Sequence, residues 1–265
     1  MTLLRTIVAK GLSRKVLTGP GKRFVFLYHD ISDPDAPQYS PLYSTQLSKF
    51  RTQIELLARY FKFVSLDEIV TNGSNHQGRL ASISFDDGFV SVKHEALPLL
   101  RSMGIPASVF VNSMAIKHNQ LFNAPGGFAP TKVVSEKIYL DETEVKQLVA
   151  AGITIGSHSS THKVLSHCDE ATLKEEILDN KLYVEQLTGS EVRHLALPFG
   201  KREHYNQQVL NYCYSVGHDY VYTTNPACFE VSQERRLIPR VAILNETPQE
   251  LLFAINRPLL KKIDI

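Results

Sequence analysis

The sequence predicts an α/β fold in which parallel strands form a distorted or incompletely closed (β/α) barrel, seven-stranded by this reading. Three observations lead there. Short apolar, β-prone runs alternate with helix-period segments over about 230 residues, the signature of a parallel sheet covered by helices. No Gly-rich dinucleotide turn follows the first strand, which favours a barrel over a doubly wound sheet. No repeat and no linker rich in Pro, Gly or Ser divides the chain, so its 265 residues read as one domain, 1–265, with a core of about 24–255.

Phe24 to Tyr28 is a continuous apolar run and reads as a strand buried on both faces. Ser44 or Thr45 can cap a helix whose Leu47, Phe50, Ile54, Leu57 and Ala58 recur at helical spacing. A short strand at Phe63-Val64, a short helix from Leu66 to Val70 and a strand from Leu80 to Phe85 follow. The helix from Val90 to Met103 contains Pro98, which predicts a kink, and Gly104 is placed to end it. Ala107 to Val111 is the next strand. The connection 112–138 has no clear periodicity and is long enough to serve as a lid or substrate-binding loop.

Asp141 opens a capping-box helix to Ala151, closed by Gly152. Strand Ile153–Ile155, helix Asp169–Leu187, strand His194–Leu197, helix Tyr205–Tyr214, strand Tyr220–Tyr222, strand Leu237–Val241 and helix Thr247–Ile255 complete the order.

Composition narrows the function. Basic and acidic residues, 29 and 27, are interspersed and leave no basic face for nucleic acid. Lys22-Arg23 and Lys261-Lys262 read as solvated surface. Three cysteines without a CxxC pair argue against a disulfide framework or a zinc ribbon. Charges interrupt the apolar residues of the first ten positions, so neither a secretory core nor a membrane span is visible, and a cytoplasmic enzyme is the expectation.

The chemistry-bearing residues gather at strand ends, where a barrel places its active site. Ser84-Phe85-Asp86-Asp87-Gly88 follows one strand, Gly156-Ser157-His158-Ser159-Ser160-Thr161-His162 another, and Tyr28-His29-Asp30 ends the first. Taken alone, Asp87 reads equally well as a helix cap beside a solvent-facing Asp86. His158 and His162, four apart, would share a face on one helical turn and grip one ion; two surface histidines are the alternative. Two histidines and one carboxylate together leave open positions on a zinc-like ion, the arrangement of a catalytic site.

These motifs, with Leu197-Pro198-Phe199-Gly200 after them, resemble the polysaccharide deacetylases of carbohydrate esterase family 4, the NodB-homology domain, over roughly Phe24 to Ile255. The resemblance implies that Asp87, His158 and His162 bind the metal and that Asp86 is the general base. It also implies that the Phe199 backbone N–H helps hold the oxyanion, with Pro198 and Gly200 shaping that turn.

Two positions depart from the family pattern. Many members carry a late catalytic histidine in a Leu-x-x-His-Asp setting, yet no histidine follows Phe229 here. Phe26-Leu27-Tyr28-His29-Asp30 looks like that motif moved to the N-terminus by circular permutation. The poly-N-acetylglucosamine deacetylases show this rearrangement, and the chain is most similar to that branch. His29 then becomes the candidate acid for the leaving amine. Many members also have an arginine orienting the base at the position of Ala196; Arg240, at another strand end, is the candidate replacement, and Arg193 the alternative.

The resemblance implies a metal-dependent hydrolase that removes the N-acetyl group from an amino sugar in a polysaccharide, oligosaccharide or glycan precursor. One divalent ion is implied, zinc first, with nickel, cobalt, iron or manganese also suiting the ligands. An amide hydrolase acting on another small molecule, or a non-catalytic carbohydrate-binding domain of the same fold, are the alternatives.

Overall fold

A computed structural model describes residues 22–36, 39–71, 79–119, 137–231 and 236–260. The N-terminal stretch that gave the expectation of a cytoplasmic enzyme lies outside these residues, as does 120–136 of the long connection. No helix among the described residues is long and apolar enough to cross a membrane.

The first strand, β1 (Arg23–Tyr28), is buried along its whole length, as the apolar run Phe24–Tyr28 requires. Successive side chains of a strand point to opposite faces. Accordingly, Phe24, Phe26 and Tyr28 join the cluster of Phe50, Ile54 and Leu57 from the helix Leu47–Ala58. Val25 faces a second cluster with Phe110, Ala196 and Tyr222. The short strands β2 (Asp30–Ile31), β3 (Ser44–Thr45) and β4 (Lys62–Phe63) precede β5 (Leu80–Phe85), which pairs with β1 in parallel over six residues.

The sheet continues through β6 (Ala107–Val111), β7 (Thr154–Ser157), β8 (His194–Ala196) and β9 (Tyr220–Tyr222), each parallel to the one before. The run read from sequence as one strand, Leu237–Val241, is two. β10 (Leu237–Ile238) pairs with β9 at one edge, and β11 (Val241–Ala242) pairs with β1 at the other. Only Pro239 and Arg240 separate them, and proline has no N–H for a ladder. One two-residue joint therefore draws the two edges together, and the sheet curls into an incompletely closed barrel. Counting the interrupted strand once, β1, β5, β6, β7, β8, β9 and β10/β11 make seven around the curl, with β4 alongside β5.

Three local expectations change. Ser44 and Thr45 do not cap the first helix: they form β3, paired with Asp30 and Ile31, and Gln46 occupies the cap position without a side-chain bond. Pro98 produces a widened turn rather than a simple kink. Val92–Ala96 is π-helical and runs directly into the α-helix Leu97–Ser102, because the proline cannot donate to the preceding turn. The helix after Asp169 also contains a π turn, Lys174–Asp179, between α-helical segments Glu170–Leu173 and Asn180–Thr188. The connection from 112 begins with a helix, Ser113–His118, and Asn119 Oδ1 accepts the Ile138 and Tyr139 N–H groups at 2.8 and 2.9 Å, tying its two ends.

Because the strands run parallel, their C-terminal ends share one rim. His29, Asp86, His158 and Leu197-Pro198-Phe199 lie there, directly after β1, β5, β7 and β8, and Arg240 lies there in the joint between β10 and β11. One glycine inside the barrel shapes the floor beneath that rim. A Cβ on Gly156 would lie 2.4 Å from the Phe110 ring and 3.1 Å from the His194 carbonyl. Gly156→Ala should therefore force the ring aside and cost about 1–3 kcal/mol, the usual range for overpacking. Urea unfolding of the two proteins measures it directly.

Candidate active site

The turn after β5 exists because two residues accept left-handed backbone. Asp87 has φ +67° and Gly88 φ +69°. The Asp86 N–H remains in the sheet, donating to Tyr28 O at 3.0 Å. The reversal that follows turns both carboxylates inward, Asp86 being 2 % and Asp87 4 % exposed. Asp86 is therefore not solvent-facing, and the following helical segment starts only at Val90, so Asp87 is not its cap.

The two histidines meet, but not on a helical turn. Residues 158–162 form a loop in which Ser159 (φ +63°) and His162 (φ +60°) are left-handed, and the His162 N–H donates to Ser159 Oγ at 3.0 Å. This fold-back sets the imidazole centroids 4.9 Å apart. Asp87 Oδ1 then lies 3.4 Å from His158 Nε2 and 3.5 Å from His162 Nε2. Ligand atoms at zinc-like bond lengths of about 2.0–2.1 Å in a tetrahedron stand about 3.3–3.5 Å apart, so these two spacings suit ligands of a single small divalent ion. Asp87 Oδ1 is also buried without a hydrogen-bond partner, as a metal ligand would be.

The tautomer of His158 is set from behind. Its Nδ1 lies 2.8 Å from the Ala196 carbonyl, which can only accept, so Nδ1 carries the proton and Nε2 offers its lone pair inward. Burial holds His162 down to about 4, which leaves its imidazole neutral at physiological pH. Burial likewise lowers His158, but Asp86 and Asp87 more than offset it and the net shift is upward. For Asp87, burial acts upward and is outweighed by His162 and His158, so its carboxyl sits well below the usual carboxylate range.

Arg240 closes on the other carboxylate. Its two terminal nitrogens donate to Asp86 Oδ1 and Oδ2, both at 2.7 Å, a planar bidentate pair. The guanidinium is fully buried, donates from Nε to Thr223 O at 3.2 Å, and lies against the rings of Phe110 and Tyr222 at 5.3 and 5.9 Å. Burial raises the Asp86 carboxyl, but Arg240 and then His158 outweigh it, and the net displacement is downward. Arg193 lies at the start of β8, the opposite end of the barrel, where it pairs with Asp219 and Asp67.

His29 is half-buried on the same rim, and its Nδ1 has no hydrogen-bond partner. Burial lowers it below the ordinary histidine range, while Asp87 and Asp86 pull the other way. The neighbouring Asp30 is anchored by hydroxyls: Ser44 and Ser91 each donate at 2.6 Å, and Ser32 donates as well. Phe199 is left-handed at φ +59°, and its ring packs on His162 with centroids 4.4 Å apart. A Cβ on the following Gly200 would sit 2.7 Å from the Thr224 N atom, so this tight turn requires glycine.

Sequence reasoning missed the residues that support the histidine loop. Asn112 donates to the carbonyls of His158 and Ser159. Asn180 donates to Ser157 Oγ at 2.8 Å and accepts the Ser113 N–H at 2.7 Å. Buried Glu176 bonds Thr161. Tyr43 and Phe89 are buried and stacked on one another, ring centroids 5.3 Å apart.

The sequence profile described as polysaccharide deacetylase matches residues 73–221. "Putative polysaccharide deacetylase YxkH" of Bacillus subtilis is 23% identical over 175 residues, covering 66% of this chain and 55% of that protein. The chain thus spans about half the length of that curated relative. Among solved structures, the Streptococcus pyogenes deacetylase PplD in complex with acetate has a TM-score of 0.72 at 18% identity, with 89% of this chain and 99% of that chain covered. IcaB from Ammonifex degensii has a TM-score of 0.70 at 19% identity, covering 89% and 98%. The chain belongs to the polysaccharide deacetylase family, and its incomplete barrel is the fold of these structures.

Two predictions follow from the Asp86–Arg240 pair. Arg240→Met leaves a buried carboxylate without its cation and should destabilise the fold by about 3–5 kcal/mol, read by denaturant unfolding. The lowered Asp86 value also fixes a sign. Its pairing stabilises the protein fully above the unfolded aspartate value of about 3.9 and is lost as pH falls through the lower folded value. Asp86→Asn should therefore flatten the acid side of the stability–pH curve; an unchanged slope between pH 2 and 5 counts against this pairing.

Proposed function

We propose that this chain is a metal-dependent hydrolase that removes the N-acetyl group from an N-acetylated amino sugar in a polysaccharide, oligosaccharide or glycan precursor. The observation that carries the reading is the convergence of Asp87, His158 and His162, whose ligand atoms all lie within 4.8 Å of one another, beside an independently paired Asp86. The likeness to a deacetylase solved with acetate supports the same chemistry.

Asp87 Oδ1 and the Nε2 atoms of His158 and His162 would hold one divalent ion, zinc first by donor type, with nickel, cobalt, iron or manganese also compatible. Such an ion, when bound, acidifies water and polarises the acetamide carbonyl. Asp86, kept ionised by Arg240, takes the proton from the attacking water. Arg240 occupies both carboxylate oxygens, which fixes the direction of the base while weakening it. Asp86 is thus suited to a water already made acidic, and poorly suited to act without one. The Phe199 backbone N–H, on its left-handed turn, is assigned to the developing oxyanion. His29, with an unbonded Nδ1 on the rim, is assigned to take over the proton that Asp86 removes from the water and to pass one to the departing amine. The products are acetate and a free amino sugar.

Acetate release from N-acetylglucosamine oligomers, poly-N-acetylglucosamine and nucleotide-linked N-acetyl sugars, paired with elemental analysis, tests this reading. Asp86→Asn should keep its metal and lose turnover by about 10²–10⁴-fold, the range for a general base. His158→Ala should lose both, and His29→Ala should lose turnover with metal retained. Full activity in Asp86→Asn, or formate rather than acetate as the released acid, sinks the assignment.

A further inference from the structure

We propose that Glu176 is a positioning residue for the candidate metal centre, holding the loop that presents His162. The inference rests on the metal reading above and concerns a residue outside the ligand set.

The loop from His158 to His162 needs an external hold. Only its first residue continues the sheet, the His158 N–H donating to Val111 O at 2.9 Å, and two of its five residues are left-handed, a conformation that persists at non-glycine residues only where surrounding bonds over-determine it. Ser159 Oγ secures the His162 N–H from within the loop. Glu176 secures it from outside. One carboxyl oxygen of Glu176 accepts the Thr161 N–H at 2.9 Å, and the other accepts the Thr161 hydroxyl. The Glu176 backbone carbonyl also accepts the Ser160 N–H at 3.0 Å. A single residue thus binds both positions that precede His162.

Glu176 is 1 % exposed, and Lys163 Nζ, on the far side of His162, stands 3.6 Å from the oxygen that takes the hydroxyl. The carboxyl group therefore spans the loop from Thr161 to Lys163, with the ligand between. Its own position comes from the π turn Lys174–Asp179, and Asn180 just beyond that turn holds Ser157 at the loop's root. An inserted π turn of this kind often marks a functional site, because it redirects side chains that a regular helix would send elsewhere.

Residues behind a ligand typically change metal affinity about 10–100-fold when removed. Glu176→Ala should weaken Zn²⁺ binding by that order in competition with a chromophoric chelator, and should alter the visible spectrum of the Co²⁺-loaded protein. Glu176→Gln should largely restore both, since its carbonyl can take the Thr161 N–H while its amide donates to the rotated Thr161 hydroxyl. A purely structural glutamate would lower the unfolding midpoint and leave the affinity of the folded protein untouched. Equal Zn²⁺ affinity in folded Glu176→Ala and the parent overturns the proposal. If Glu176→Ala does not fold, Thr161→Val serves: loss of one hydrogen bond should weaken Zn²⁺ by about fivefold, and an unchanged affinity overturns the role. A parent protein that binds neither Zn²⁺ nor Co²⁺ defeats the metal reading itself, a result distinct from either.

Discussion

Two adjacent carboxylates buried at one strand end are the constraint on which the rest of the site depends. A buried carboxylate is tolerated only where cations or donors compensate it. Here the compensation is divided. Arg240 takes Asp86 through both oxygens, while Asp87 turns away through left-handed backbone to face two imidazole nitrogens. The division separates two tasks that one shared cation would merge. Asp86 is held in direction by a fixed organic charge, and Asp87 Oδ1 is left without a hydrogen-bond partner.

Four of the five non-glycine residues with positive φ among those described, Asp87, Ser159, His162 and Phe199, belong to this site. Left-handed backbone at such residues persists only where surrounding bonds over-determine it. The bonds are present: Ser159 to His162, Asn112 to the two carbonyls of the loop, Thr224 Oγ1 to Phe199 O at 2.6 Å. The polar residues behind the rim are thus part of the geometry of the site as much as Asp87, His158 and His162 are.

Most of the barrel could be read from the chain because strands buried on both faces are built of apolar and small residues, as Phe24–Tyr28 of β1 and the whole of β5 and β6 are. The capping box at Asp141 is an equally local device, while the caps at Ser65 and Asn206 were not read, the latter helix starting at Gln207 rather than Tyr205. What the chain concealed was non-local or set by backbone. His158 and His162 have helical spacing, but the loop reaches the same convergence by two left-handed residues that no composition rule announces. Leu237–Val241 has the pattern of one strand, and only pairing with opposite edges of the sheet divides it. Glu176 and Asn180 look like ordinary polar positions of an amphipathic helix; their inward direction arises from a π turn without a sequence marker. The motif residues were visible because unpaired polar groups at strand ends need a reason to be there.

The joint between β10 and β11 has a kinetic consequence. Arg240 is 154 positions from Asp86 along the chain, and the contact requires the two sheet edges to meet. Contacts of such separation form late, after the loop-closure entropy has been overcome. A nascent chain therefore completes Asp87, His158 and His162 before the arginine that orients Asp86 has been synthesised. The final turn of the sheet is also the step that pairs Asp86, so a partly assembled molecule could bring Asp87, His158 and His162 together while the neighbouring carboxylate still lacked its guanidinium.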